Sequence, residues 1–132
     1  MPGKHLYEYA VIRIVPRMDR EEFINAGVIL YCRGKRFLKA RIHLDEHRAG
    51  CLFPGLDLEA VRGNLESFGR ISTGGRDAGP IGQMDAPSRF RWLTAIRSTV
   101  VQTSRVHPGM CPEPEQTLER LFDALVQTAT HP

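Results

Sequence analysis

Three runs in the first third of the chain carry the apolar patterning of strands. LYEYAVIRIVP (6–16) is rich in aromatic and β-branched residues and closes on a proline; INAGVILY (24–31) and RFLKARI (36–42) follow it. The charged RMDREEF between the first two reads as a turn or one helical turn, and CRGK between the second and third as a hairpin. A two-residue loop at Arg33-Gly34 sets Val28 against Lys39 and Ile29 against Leu38. A three-residue loop, Cys32-Arg33-Gly34, puts glycine at a left-handed position and pairs Val28 with Leu38, Ala26 with Ala40 and Ile24 with Ile42. Every member of the second set is apolar. That register is predicted, because a one-residue slip sends half the core to the wrong face.

The opposite face then pairs Asn25 with Arg41, Gly27 with Lys39 and Ile29 with Phe37, and the first strand adds Tyr7, Tyr9 and Arg13. Such a face either meets solvent, as antiparallel sheets allow, or offers a shallow surface with Gly27 admitting a close approach to the backbone.

Beyond the sheet the period changes. LDEHRAGCLFPG suggests a short helix capped by Asp45 and ended by Pro54-Gly55. In DLEAVRGNLESFG, Asp57 caps a helix whose stripe is Leu58, Val61, Leu65 and Phe68, with Gly69 at its end. Residues 72–87, STGGRDAGPIGQMDAP, read as a flexible Gly/Pro-rich loop. SRFRWLTAIR is predicted as a helix capped by Ser88 with Trp92, Leu93 and Ile96 inward. TVVQTS reads as a further strand, and Glu113-Pro114 opens a last helix that turns Leu118, Leu121, Phe122 and Leu125 to the core. The expected architecture is α+β: one domain with its core at about 6–126, and an antiparallel sheet of three to four strands with helices packed mainly on one face.

Composition narrows the setting more than the chemistry. The longest apolar run, Ala26–Cys32, is seven residues, far short of the ~20 that span a bilayer, so no membrane role is expected. Three cysteines without CxxC spacing argue against a disulfide framework, and Met1-Pro2-Gly3-Lys4-His5 leads into a strand with no signal-like apolar region; cytoplasm is the expectation. The net charge is +3, with ten basic against six acidic residues in 1–50, but fifteen of the eighteen basic residues are arginine. That bias is compositional as readily as functional, and nucleic-acid binding is not expected.

YEYAVIRIVP, EEFINAGVILY, RFLKARI, LFPGLDLEAV, GPIG and RSTVVQTSRVHPG…LERLFDALV together resemble a bacterial family catalogued as domain of unknown function number 3037. The likeness covers roughly 6–126 and is most specific at Phe23-Ile24-Asn25-Ala26-Gly27 and at Arg97-Ser98-Thr99…Gln102…His107. No established activity comes with it. The resemblance hints at a protein partner, since members of that family are often encoded beside a kinase-like protein of the HipA type.

The same segment is the best candidate site. Arg97 is a fork donor suited to carboxylate or phosphate, Ser98, Thr99 and Gln102 can donate to the same group, and His107 can carry a proton near neutrality. If their strand joins the sheet, Asn25 and Arg41 can converge with them. His43 and His47 in HLDEH lack a third ligand at a recognisable spacing, so no metal is expected, and no cofactor. Ser98 has no Gly-x-Ser-x-Gly setting, Cys111 no helical partner in His107, and STGGRDAGPIG no terminal Gly-Lys-Ser/Thr. Two functions fit these residues: a non-catalytic binding or regulatory module acting with a larger protein, and a small enzyme or sensor holding an anionic molecule such as a nucleotide.

Overall fold

The computed structural model describes residues 3–17, 20–97 and 99–127. The fold is α+β. Five antiparallel strands occupy four positions: β3 (Phe37–Ile42), β2 (Ile24–Cys32) and β1 (His5–Ile14) lie in that order, and the far edge of β1 is shared by β4 (Val101–Thr103) and β5 (His107–Cys111). The helices are α1 (Glu46–Leu52), α2 (Leu58–Thr73), α3 (Gly79–Gly82), α4 (Ala86–Leu93) and α5 (Pro114–Leu125).

Strand β2 explains the layout. Its residues 26–32 are apolar without alternation, and all but Asn25 are buried, so both faces of the sheet need cover. On the first face Ala10, Ile12, Ile14, Ile29 and Tyr31 meet Val61, Leu65 and Phe68 of α2 and Phe90 and Leu93 of α4. On the second, Val28, Leu30 and Cys32 meet Leu118, Leu121 and Phe122 of α5. Helices α2 and α4 therefore lie on one face and α5 on the other. The solvent-facing polar surface expected for that second face is largely an interface with α5.

Double burial also overturns the expected hairpin register. The observed pairs are Val28 with Arg41, Ile29 with Ala40, Leu30 with Lys39 and Tyr31 with Leu38. Matching apolar partners fixes a register only where one face is wet; with both faces dry, Leu30 opposite Lys39 costs nothing when the lysine stem lies on apolar surface and its ammonium reaches Glu115 at 3.0 Å. The connection is longer than expected: a 3-10 turn at Arg33–Lys35 followed by Arg36 at φ 52°, so arginine and not Gly34 takes the left-handed position. Gly27 does meet a close backbone approach, but from within the fold. A Cβ there would stand 2.7 Å from the Arg41 carbonyl oxygen.

Three helical predictions need correction. Helix α2 runs through Gly69 to Thr73, because that glycine lies within the packed stripe against Ile42. Residues 72–87 are mostly short helix and turn, including the 3-10 turn Arg76–Ala78 and α3. Asp85, not Ser88, caps α4: its carboxylate accepts from the Ser88 amide at 3.0 Å, and hydrogen bonds from the Ser88 side chain and backbone hold its pKa below the usual carboxylate range. Packing against the sheet selects Phe90 and Leu93 as the inward stripe and leaves Trp92 38% exposed, and because the helix ends at Leu93, Ile96 falls beyond it and is fully exposed.

Two irregularities position side chains. Between Ile12 and Arg13 the β1–β2 register slips by one, so Ala26 is an extra residue in β2. The bulge returns Ile24 to the first face beside Ile14 and turns Asn25 to the second beside Arg13. On the other edge of β1 the ladder breaks between β4 and β5. There the buried Ser104 gives its amide to the Val11 carbonyl at 2.8 Å, while its Oγ accepts the Val11 N–H at 2.9 Å and donates to the Arg105 carbonyl. A side-chain hydroxyl thus stands in for the missing ladder carbonyl. Ser104→Ala leaves that buried amide unpaired and is expected to cost about 1–3 kcal/mol in urea denaturation; a loss within about 0.5 kcal/mol, typical of a surface change, would show that the amide finds another acceptor.

Candidate functional site

The bulge and the two edges of β1 assemble one row of polar side chains across three strands. Gln102 of β4 pairs with Arg13 of β1, which pairs with Asn25 of β2, all on the second face beside the end of α5. Asn25 is anchored: its Nδ2 donates to the Leu125 carbonyl at 2.9 Å, which fixes the amide orientation and turns Oδ1 away from α5. Gln102 is anchored as well, its Nε2 donating to the Thr99 carbonyl at 2.7 Å. Arg13 lies over the Phe23 ring, with Cζ 4.1 Å from the centroid, and Phe23 itself is 44% exposed.

Two atoms of this row are buried without hydrogen-bond partners: the donor Arg13 Nε and the acceptor Asn25 Oδ1. Buried polar atoms are nearly always paired, and leaving one unmade costs about 1–3 kcal/mol. Shallow hollows flank Phe23 on either side. One, of about 340 Å³, lies between Asn25, Arg48 and the end of α5; the other, of about 220 Å³, lies between Arg13, Glu21 and Gln102. The row has hydrogen-bonding capacity but no nucleophile beside a base.

The seven residues singled out in the sequence separate into groups. Asn25 and Gln102 join through Arg13. His107 pairs with Tyr9 further along β1, their rings 5.2 Å apart, on the same face. Thr99 donates to the Val101 carbonyl at 2.7 Å and shapes the turn into β4. Arg97 stacks on Trp92, with Cζ 3.8 Å from the ring, and donates to the Trp92 carbonyl; partial burial lowers its pKa from the usual arginine value. Ser98 lies outside the described residues. Arg41 stands on β3, three strand spacings or about 14 Å from the β5 edge. It is engaged with α5, through Glu119 at 3.2 Å and the Phe122 ring at 4.6 Å. So Arg41, Arg97 and His107 do not converge on one anion.

Two contributors were named in the sequence without being assigned to the site. Phe23 looked like part of a charged turn, and Arg13 was one polar residue on a face with no evident partner; only the bulge at Ala26 sets Arg13 beside Asn25. A larger concavity, about 490 Å³, lies elsewhere, between the β1–β2 connection and the α1–α2 turn, and none of the seven residues lines it. Its one sequence signal is LFPGLD, apolar residues on both sides of a Pro-Gly break.

An antiparallel sheet covered on both faces, with a bulge-built polar row on one of them, defines an α+β domain. Over residues 9–126 the chain matches the family described as "Protein of unknown function (DUF3037)", and it belongs to that family. No curated protein and no solved structure matches it. No helix among the described residues is long and apolar enough to cross a membrane.

The geometry gives Arg41 a structural task. Arg41→Ala is expected to lower stability by about 0.5–1 kcal/mol in urea denaturation, the scale of an exposed cation–π contact and ion pair. The loss shrinks at high salt if the Glu119 pair supplies it and persists if the Phe122 contact does. An unchanged midpoint at both salt concentrations would remove Arg41 from the docking of α5.

Proposed function

We propose that this chain is a non-catalytic binding module that acts with a larger protein in the cytoplasm, and that the Gln102–Arg13–Asn25 row recognises an extended segment of that partner. The observation that carries the reading is the unsatisfied pair, a buried donor at Arg13 Nε beside a buried acceptor at Asn25 Oδ1. A carboxylate or phosphate would satisfy the arginine and leave Asn25 Oδ1 facing further acceptors. An extended chain offers a carbonyl to the first and the N–H of another of its residues to the second, once the two buried side chains turn outward to meet it. Hollows on both sides of Phe23 suit a chain passing over that ring better than a compact ligand. A kinase-like protein of the HipA type is the partner that the family resemblance suggests. The alternative, an enzyme or sensor gripping an anion through Arg41, Arg97, Gln102 and His107, is disfavoured by the separation of those side chains.

A photo-crosslinking residue at the exposed Gln127, on the rim of one hollow, tests this in the native cells. One discrete protein adduct is expected, reduced at least tenfold by Arg13→Met or Gln102→Leu in variants with unchanged thermal midpoints. No adduct, or the same adduct in both variants, would overturn the proposal.

A further inference from the structure

Strand β3 forms one edge of the sheet, and its pairing with β2 determines which backbone groups that edge presents. The His43 amide donates to the Ala26 carbonyl at 2.8 Å and continues the β2–β3 ladder, so Phe37, Lys39 and Arg41 direct their N–H and C=O groups toward β2. The alternate residues Leu38, Ala40 and Ile42 direct theirs outward. No hydrogen bond from another described residue reaches these outward groups.

The side chains follow the same alternation. Leu38, Ala40 and Ile42 lie on the first face, half-buried against its core. Lys39 and Arg41 lie on the second face beside α5, their side chains close to half exposed. An added strand therefore hydrogen-bonds through residues whose side chains stand on the first face, next to three apolar ones. A hollow of about 400 Å³ between the end of β3 and α2 extends that surface, with Ile42, Leu44, Leu65 and Gly69 among its lining. Arg62 at its rim is held by Glu46 at 2.6 Å.

The charges on β3 narrow the choice of occupant. A second copy of the chain, paired antiparallel about Ala40, sets Lys39 opposite Arg41 twice on the second face, and like charges directly opposite destabilise a sheet. Basic residues on an edge strand guard against self-pairing of this kind. A strand with neither lysine nor arginine at those two positions meets no such repulsion. We infer that the β3 edge takes up an extended segment of another protein as a further strand, with apolar residues at alternate positions on the first face and uncharged or acidic ones between them. This surface is separate from the polar row, and neither depends on the other.

The test is amide hydrogen exchange, read by two-dimensional NMR on the full chain, with the peptide acetyl-Glu-Val-Thr-Val-Thr-Val-Glu-amide as probe. At saturating peptide the Leu38, Ala40 and Ile42 amides are expected to exchange at least fivefold more slowly. Those of Lys39 and Arg41, already bonded to β2, are expected to change little. N-methylation of the three valines deletes the donors that face β3 and is expected to abolish the effect. Ala40→Pro removes an amide that no native bond uses and is expected to weaken binding at least fivefold; the N-methylated peptide serves the same purpose if that variant misfolds. No slowing at these three amides, or equal slowing by the N-methylated peptide, would overturn the site. Slowing that appears on concentrating the chain without peptide would assign the edge to a second copy and overturn the choice of occupant.

Discussion

The burial of β2 on both faces is the constraint from which the other features follow. A strand of residues 26–32 with no polar alternation cannot leave either side wet without exposing several large apolar groups. Helices α2 and α4 cover one side and α5 the other, and each docking surface then fixes its own hydrogen bonds. Lys39 and Arg41, on the second face of β3, became struts to Glu115 and Glu119 of α5. Asn25 became the hold on the carbonyl of Leu125 at the helix end. Polar residues that look like a ligand surface in a one-sided sheet are, in a two-sided one, the rim of a second core.

Most of the fold was legible, and the failures share a cause. Strands β1, β2 and β3 and the caps at Asp45 and Asp57 followed from local patterns, which depend on residues a few positions apart. The hairpin register failed because it was inferred from one wet face. A shift of three positions exchanges the faces of every β3 side chain, yet it leaves the apolar content of both faces acceptable once α5 is in place. The inward stripe of α4 failed because the helix ends at Leu93, four residues short of the predicted Arg97, so Ile96 lies beyond it, and because tertiary packing chose Phe90 with Leu93 over Trp92.

The candidate site was legible only in fragments. Asn25 and Gln102 were singled out for their side-chain types, and they do share a face. What joins them is Arg13, and what aligns Arg13 with Asn25 is one extra residue in β2. Bulges leave no periodic trace in an apolar strand. Arg97 and Arg41 were assigned to a common anion by charge alone, while the structure spends one on Trp92 and the other on Phe122. Arginine can satisfy itself on an aromatic face as readily as on a carboxylate, which is why a count of arginines says little about ligands.

The break between β4 and β5 has a consequence for solubility. The outer edge of the sheet could have been one continuous strand of about eleven residues along β1, an open template for another chain's backbone. It is instead two pieces, of three and five residues, with Pro108 in the second removing one amide and Ser104 closing the gap inward toward Val11. The sheet is thereby terminated on this side by its own hydrogen-bond chemistry, with no helix needed to shield it.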